Sequence, residues 1–430
     1  MKKKILLLFV ALLGLSWFST ITDIAGKPGK IAEHVEKAQE YEAKGIYIDA
    51  IEEYKQALTY RPGDLEISMK MAEDYLKIGK TKEYVSLCKD LAEQNPYKAE
   101  PMDNLMQYYV DEQDEADAIK YLQEYAAQYE KSETAQKWLK ELKGSYAALY
   151  CRYEEMSPII NNSMVVKTEN GYGICDSLGN EILEPVYEEA HPFSDSALAL
   201  VRKDGTYFYV DKDGLTRLVP DETDSDLGML TSDRTVAARN GKYGYLDEKL
   251  DAVGDFTWDS LSLICEKTGA GEKNGKWALV DKNGEAITDF LYDDVGLDEN
   301  GFCSGQKRIF VKQGKAYQMV NTKNETVGEL TFENAKCFSD KGYAAVCQNG
   351  KWGFVNADGE IVIDCQFDDA QSFSNGFAAV CQNRKWGYID ESGSLVVKTE
   401  FEEATPISAK GTASVLKDGE WNLIQLNWFQ

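Results

Sequence analysis

Two spacings of apolar residues divide this chain. From about Ala32 to Leu142 they recur at i, i+3, i+4 and i+7, the period of a helix with one buried face. From about residue 163 onward they alternate in short runs separated by Gly, Asn and Asp, the signature of strands joined by tight turns. The stretch Asn349–Val380 shows one unit of this second pattern. Asn349-Gly350 lies between the apolar runs Tyr343–Cys347 and Trp352–Val355, and Asp358-Gly359 lies between Trp352–Val355 and Ile361–Ile363. Both dipeptides suit two-residue hairpin turns, whose central positions need positive φ. Phe367, Ala370 and Phe373 close the unit, and Gly376-Phe377 opens the next.

The turn residues Gly171, Gly205, Gly241, Gly275, Gly314, Gly350, Arg384 and Gly419 are separated by 34, 36, 34, 39, 36, 34 and 35 residues. An aromatic follows within two positions at Tyr172, Tyr207, Tyr243, Trp277, Trp352, Trp386 and Trp421, and the Gly314 copy carries Ala316 there instead. Gly follows the aromatic at Gly173, Gly244, Gly353 and Gly387. Strand alternation puts Trp352 and Phe354 on one face, with Gly353 and Val355 on the other. The Trp supplies apolar area that a short hairpin cannot bury alone, and the Gly lets another backbone or ring lie close. Three or four strands in about 35 residues suit a propeller blade or a solenoid rung. Seven full units and a final hairpin, Ala413–Leu426, allow a ring to close on the first strands, Met164–Cys175, and so remove the sheet edges. A propeller-like array is favoured over an open β-solenoid. The K-W-G-[FY] core with its trailing [DN]-x-x-G resembles the bacterial WG (KWG-type) repeat over about 163–426. The resemblance implies a fold and leaves the chemistry open.

In the helical part, Ala38, Tyr41, Gly45, Ala50, Tyr54, Ala57 and Pro62 match Ala72, Tyr75, Gly79, Tyr84, Cys88, Leu91 and Pro96 at a period of 34. A third copy follows with Met106, Tyr109, Gln113, Ala118, Leu122 and Tyr125. These positions resemble the tetratricopeptide repeat, in which small and aromatic residues let paired helices interlock. The resemblance implies an α-solenoid with a concave peptide-binding groove. By register that groove includes Val35, Gln39, Glu42, Met69, Glu73, Leu76, Asp103, Gln107 and Val110. It is acidic and lacks the Lys and Asn with which one subgroup clamps a C-terminal carboxylate. Basic amphipathic peptides are therefore the expected ligands, with a spacer or self-association role as the alternative. Ser132–Leu149 is expected as a capping helix, with Trp138, Leu139 and Leu142 inward.

Ahead of the helices, Lys2–Lys4 and the uncharged run Ile5–Ile21 form a signal-sequence pattern. The run just suffices to cross a bilayer, and the best cleavage offer, Gly14-Leu15-Ser16, would cut it short. An uncleaved anchor is favoured over a cleaved signal, and either places the rest outside the cytoplasm. The chain thus divides into an anchor or signal over 1–26, helical repeats over 31–150 and a β-repeat domain over 160–430.

The formal charge of −26 over 430 residues makes nucleic acid and anionic lipid poor partners. Contact with membrane is expected only through the N-terminal segment. None of the nine cysteines forms a C-x-x-C pair, which argues against a tight zinc site or a dense disulfide framework. Cys347 and Cys381, each after Ala-Ala-Val, read as small buried strand residues. One polar feature recurs: an aromatic followed by one or two acids. It occurs at Tyr187-Glu188-Glu189, Tyr292-Asp293-Asp294, Phe332-Glu333-Asn334, Phe367-Asp368-Asp369 and Phe401-Glu402-Glu403, with Trp258-Asp259 as a degenerate copy. Paired carboxylates serve acid–base chemistry on glycans. A reaction centre is a single asymmetric constellation, however, so acids present in nearly every unit read as turn caps or solvated groups. Asp211-Lys212-Asp213-Gly214 and Asp281-Lys282-Asn283-Gly284 lack the EF-hand spacing and read as hairpin turns. Histidine is confined to His34 and His191, and no phosphate loop or G-x-G-x-x-G is present. No catalytic, cofactor or metal residue is assigned. The expectation is a non-catalytic, extracytoplasmic binding or scaffold protein, with an envelope glycan binder or carbohydrate-active enzyme, or a purely structural assembly role, as alternatives.

Overall fold

Apolar residues at helical spacing build seven helices in the computed structural model, which describes residues 28–149, 151, 153–298, 301–338 and 342–430. They are α1 (28–43), α2 (Tyr47–Tyr60), α3 (Leu65–Lys77), α4 (Thr81–Gln94), α5 (Ala99–Asp111), α6 (Glu115–Gln128) and α7 (Glu133–Leu142). Gly45 and Gly79 end α1 and α3 at φ +72° and +73°, the left-handed conformation that stops a helix, and Gln113 takes the same role after α5 at φ +59°. Ala38, Ala50, Tyr54 and Ala57 are fully buried, so the 34-residue pattern does mark the core. Tyr84 is buried where Ala is expected, and its hydroxyl donates to the Asn104 carbonyl at 3.0 Å. The segment Ile5–Ile21, expected to anchor or target the chain, lies outside the described residues. Among the described residues no helix is long and apolar enough to cross a membrane.

The helix expected over Ser132–Leu149 is shorter: α7 stops at Leu142, and Tyr146–Leu149 is a strand. Gly144 follows the helix where the chain presses against the propeller, since a Cβ there would lie 1.9 Å from the Val396 carbonyl oxygen. The helical unit ends at Leu142, and Lys143–Gln430 form the second unit.

That second unit is an eight-bladed β-propeller. Blade 7 shows the plan, with antiparallel strands Asp369–Ala370, Phe377–Gln382, Lys385–Asp390 and Leu395–Phe401 in that order. Blades 1, 2, 5 and 6, over 155–187, 189–218, 294–332 and 334–367, repeat it. Blades 3 and 4 are three-stranded, over 234–258 and 260–281. Blade 8 takes three strands from 403–426, and its fourth is Tyr146–Leu149, paired antiparallel with Glu420–Leu426. The ring therefore closes through Tyr146–Leu149 and not through the expected Met164–Cys175, which instead pair with each other inside blade 1. Chain from before the first recognisable repeat thus completes the last one.

Cores lie between blades. Trp352 and Phe354 of blade 6 pack with Phe373 and Val380 of blade 7, while Val355 packs with Phe310 and Phe332 of blade 5, as strand alternation requires. Trp352 stands opposite Phe367, Trp386 opposite Phe401 and Tyr172 opposite Tyr187. Tyr317 stands opposite Phe332 in the same way, so the aromatic position of the Gly314 repeat is Tyr317, not Ala316. Its two-residue turn, Gly314-Lys315, is as long as its neighbours' but carries the glycine in the first position. Beside these aromatics the fourth strand bulges inward, and a Cβ on Gly353 would meet the Ile363 carbonyl oxygen at 2.5 Å. Asn349 and Gly350 both have positive φ, as a two-residue turn needs. Asp358-Gly359 belongs to a longer loop, in which Asn356 accepts from the amides of Asp358 and Glu360.

Candidate functional site

The recurring carboxylates are held by the fold. Each lies between one blade and the next and reaches the hairpin of the blade that follows. Asp368 accepts from the Asn383 amide at 2.7 Å and from the Lys351 ammonium of the preceding blade at 2.5 Å. Asp293 does the same with Gly314 at 2.7 Å and Lys276 at 2.5 Å. Glu402 binds Gly419 and Lys385, and Asp259 binds Asn274 and Lys242. Glu333 caps Asn349 and Gly350, and Glu188 caps Gly205. The lysine hydrogen bonds, with the turn amides second, hold the carboxyls of Asp259, Asp293 and Asp368 below the ordinary carboxylate value. The second acid of two of these pairs also has local work: Glu189 accepts from the Tyr207 hydroxyl at 2.6 Å and Asp294 from the Tyr317 hydroxyl at 2.5 Å. These are the turn caps that the repetition suggested.

Asp211 and Asp281 each accept from the amides two and four residues on, so the D-x-[DN]-G segments are side-chain-capped hairpin turns. His34 Nδ1 lies 2.6 Å from Glu53, and His191 Nε2 lies 3.2 Å from Glu189. In the helical unit, Met69 is buried, Glu42 accepts from the Tyr54 hydroxyl at 3.0 Å and Asp103 accepts from the Trp138 indole at 2.7 Å. Of the residues assigned to the groove, Gln39, Glu73, Leu76 and Gln107 remain exposed.

All nine cysteines are free thiols, and Cys347 and Cys381 are buried in strands as expected. Burial pushes the Cys88, Cys175 and Cys265 thiols up to about 11 and Cys303 to about 12, which leaves them protonated and weakly nucleophilic at neutral pH.

Two cavities stand out in the propeller. Segments following the first strands of blades 1, 4, 5, 6, 7 and 8 converge on one of about 510 Å³, which includes Ile160, Glu266, Asp298, Phe338, Ser372 and Pro406. Ser304 lines it with a buried hydroxyl that has no hydrogen-bond partner among the described residues. The other, about 660 Å³, spans blades 7, 8 and 1 and shares Pro158 with the first. Trp386, Trp421 and Tyr172, the repeat aromatics of three consecutive blades, line it half-exposed, with Glu155, Glu403, Lys167 and Gln371. The equivalent Trp352 is buried. The repeat aromatics are thus core in blade 6 and cleft walls at the ring closure.

Sequence reading missed this cleft because it began the array near residue 163. The overlooked signal is Tyr153-Glu154-Glu155-Met156, a seventh copy of the aromatic–acid–acid motif. Its Glu154 amide donates to the Lys167 carbonyl at 2.9 Å, as the Asp368 amide does to Cys381 at 2.9 Å.

Residues 172–207, 277–315, 319–352, 352–386 and 386–421 match the model of the WG containing repeat. No curated protein matches the chain. Among solved structures, the propeller part is similar to Saccharomyces cerevisiae Sqt1, with 10% identity, 65% of this chain and 97% of that chain covered, and a TM-score of 0.40. Kluyveromyces lactis Hsv2 shares 10% identity over 64% of this chain and 97% of its own, at a TM-score of 0.37. The Neurospora crassa Pan2 WD40 domain shares 10% over 66% and 96%, at 0.36. Blade number and closure rest on the strand pairing itself.

Proposed function

We propose that this chain is a non-catalytic binding and scaffold protein working outside the cytoplasm, with tetratricopeptide-like helices and a propeller offering separate surfaces to protein partners. One observation carries the reading: the carboxylates that recur through the propeller are engaged by turn amides and lysines, while the 660 Å³ cleft is walled by aromatics. Carboxylates so engaged hold blades together, whereas a half-exposed aromatic wall suits ligand capture. The acidic helical face, with Glu73 and Gln107 exposed, favours basic amphipathic segments. Lys2–Lys4 and Ile5–Ile21 support export of the remainder, anchored or secreted. The half-exposed indoles of Trp386 and Trp421 favour an envelope glycan as the second reading, since sugar rings stack on such faces.

The test presents the full chain with basic peptides and envelope glycans while following both retention and release of new reducing ends. Retention without turnover is expected. Turnover abolished by Glu403→Gln would overturn the non-catalytic reading.

A further inference from the structure

The junction between blades 6 and 7 holds a lysine of the protein's own. Lys336 sets its ammonium 5.1 Å from the centre of the Trp352 ring. It donates to the Ala370 carbonyl at 2.7 Å and lies 3.6 Å from the Asp369 carboxylate. An aromatic face, a carbonyl and a carboxylate are what a primary ammonium needs when part of its hydration is removed.

The next junction repeats the receptacle without the lysine. The backbone amides of Lys336 and Gln371 make equivalent bonds, to Ala345 and Ala379, both at 2.9 Å, so the two residues hold the same repeat position. In step with them, Trp352 becomes Trp386, Asp369 becomes Glu403 and Ala370 becomes Ala404. Gln371, Trp386, Glu403 and Ala404 all line the 660 Å³ cleft. Gln371 carries no ammonium, and its buried side-chain oxygen has no hydrogen-bond partner among the described residues. Trp386 is half-exposed where Trp352 is covered, and among the described residues no side chain holds the exposed Glu403.

We propose that this cleft binds a lysine side chain of a protein partner, its ammonium seated over Trp386 between Glu403 and the Ala404 carbonyl as Lys336 sits in the preceding junction. Trp421 and Tyr172 extend the wall along the partner's chain, and Glu155 is already neutralised by Lys167. The proposal rests on the binding reading above and names the chemistry of its ligand.

The probe is a fluorescent, acetyl-capped and amidated peptide of alternating alanine and lysine, titrated into the full chain. The same peptide with every lysine Nε-acetylated serves as control, and n-butylamine as competitor. The lysine peptide should bind, the acetylated one should not, and butylamine should compete. Gln371→Lys should fill the receptacle from within, raising the Kd about tenfold or more while melting no lower than the wild type. Glu403→Gln, at an exposed position, should weaken binding without altering the melt. Unchanged affinity in Gln371→Lys, or equal binding of the acetylated peptide, would overturn the site. Capture of other ligands by a chain that fails this test would leave the broader binding reading standing, so the two failures are distinct.

Discussion

The Asp368 carboxylate lies 2.5 Å from the Lys351 ammonium, joining the start of blade 7 to the hairpin of blade 6. The same carboxylate caps the turn at Asn383, one blade further on. Recurrence at Asp259, Asp293 and Glu402 makes this a tie applied around the ring.

Exposure separates the repeat tryptophans energetically. Trp352→Ala should cost about 3–5 kcal/mol, the range for emptying a buried aromatic site. Trp386→Ala, at a half-exposed wall, should cost about 1–3 kcal/mol. Urea denaturation of the two variants measures the gap, and equal costs would place Trp386 in the core.

Closure by Tyr146–Leu149 makes the fragment boundary decisive. Residues 143–430 should melt cooperatively as a monomer. Residues 150–430 should melt about 5–10 °C lower and self-associate, because Glu420–Leu426 becomes an open edge. Light scattering with thermal melts reads both, and identical behaviour would place the closing strand elsewhere.

Acid should loosen the ties. The ordinary carboxyl value is 3.8, and Asp259 and Asp293 lie below it in the folded chain. Their contribution is present above the unfolded value and is lost as pH falls through the folded one. Asp293→Asn should therefore lower Tm at pH 7, with the difference from wild type closing as pH falls below the ordinary carboxyl value. A difference that persists in acid would mean the charge is not what stabilises.

Much of this architecture was legible because local chemistry and ring geometry agree. The turn pair Asn349-Gly350 needs positive φ at both positions and has it. Gly353 marks where a bulged strand presses close, and the alternation of Trp352 and Val355 sends each to a different neighbour blade. The closing strand was not legible, since Tyr146–Leu149 is too short to carry a period and follows a helix directly. The lysine receptacle in the cleft was hidden for another reason: it depends on Gln371 standing where Lys336 stands one repeat earlier, a comparison that needs register across blades. The helical groove was half legible, because spacing assigns a face but does not reveal that Met69 turns inward or that Trp138 engages Asp103.

Replacing Asp368 by Asn in the full chain separates a structural tie from a reacting group most directly. Thermal melting, peptide retention and glycan turnover are followed on the same sample. A lower Tm with peptide retention preserved and no turnover in either protein is expected. An unchanged Tm, together with loss of a turnover that the wild type displays, would contradict it.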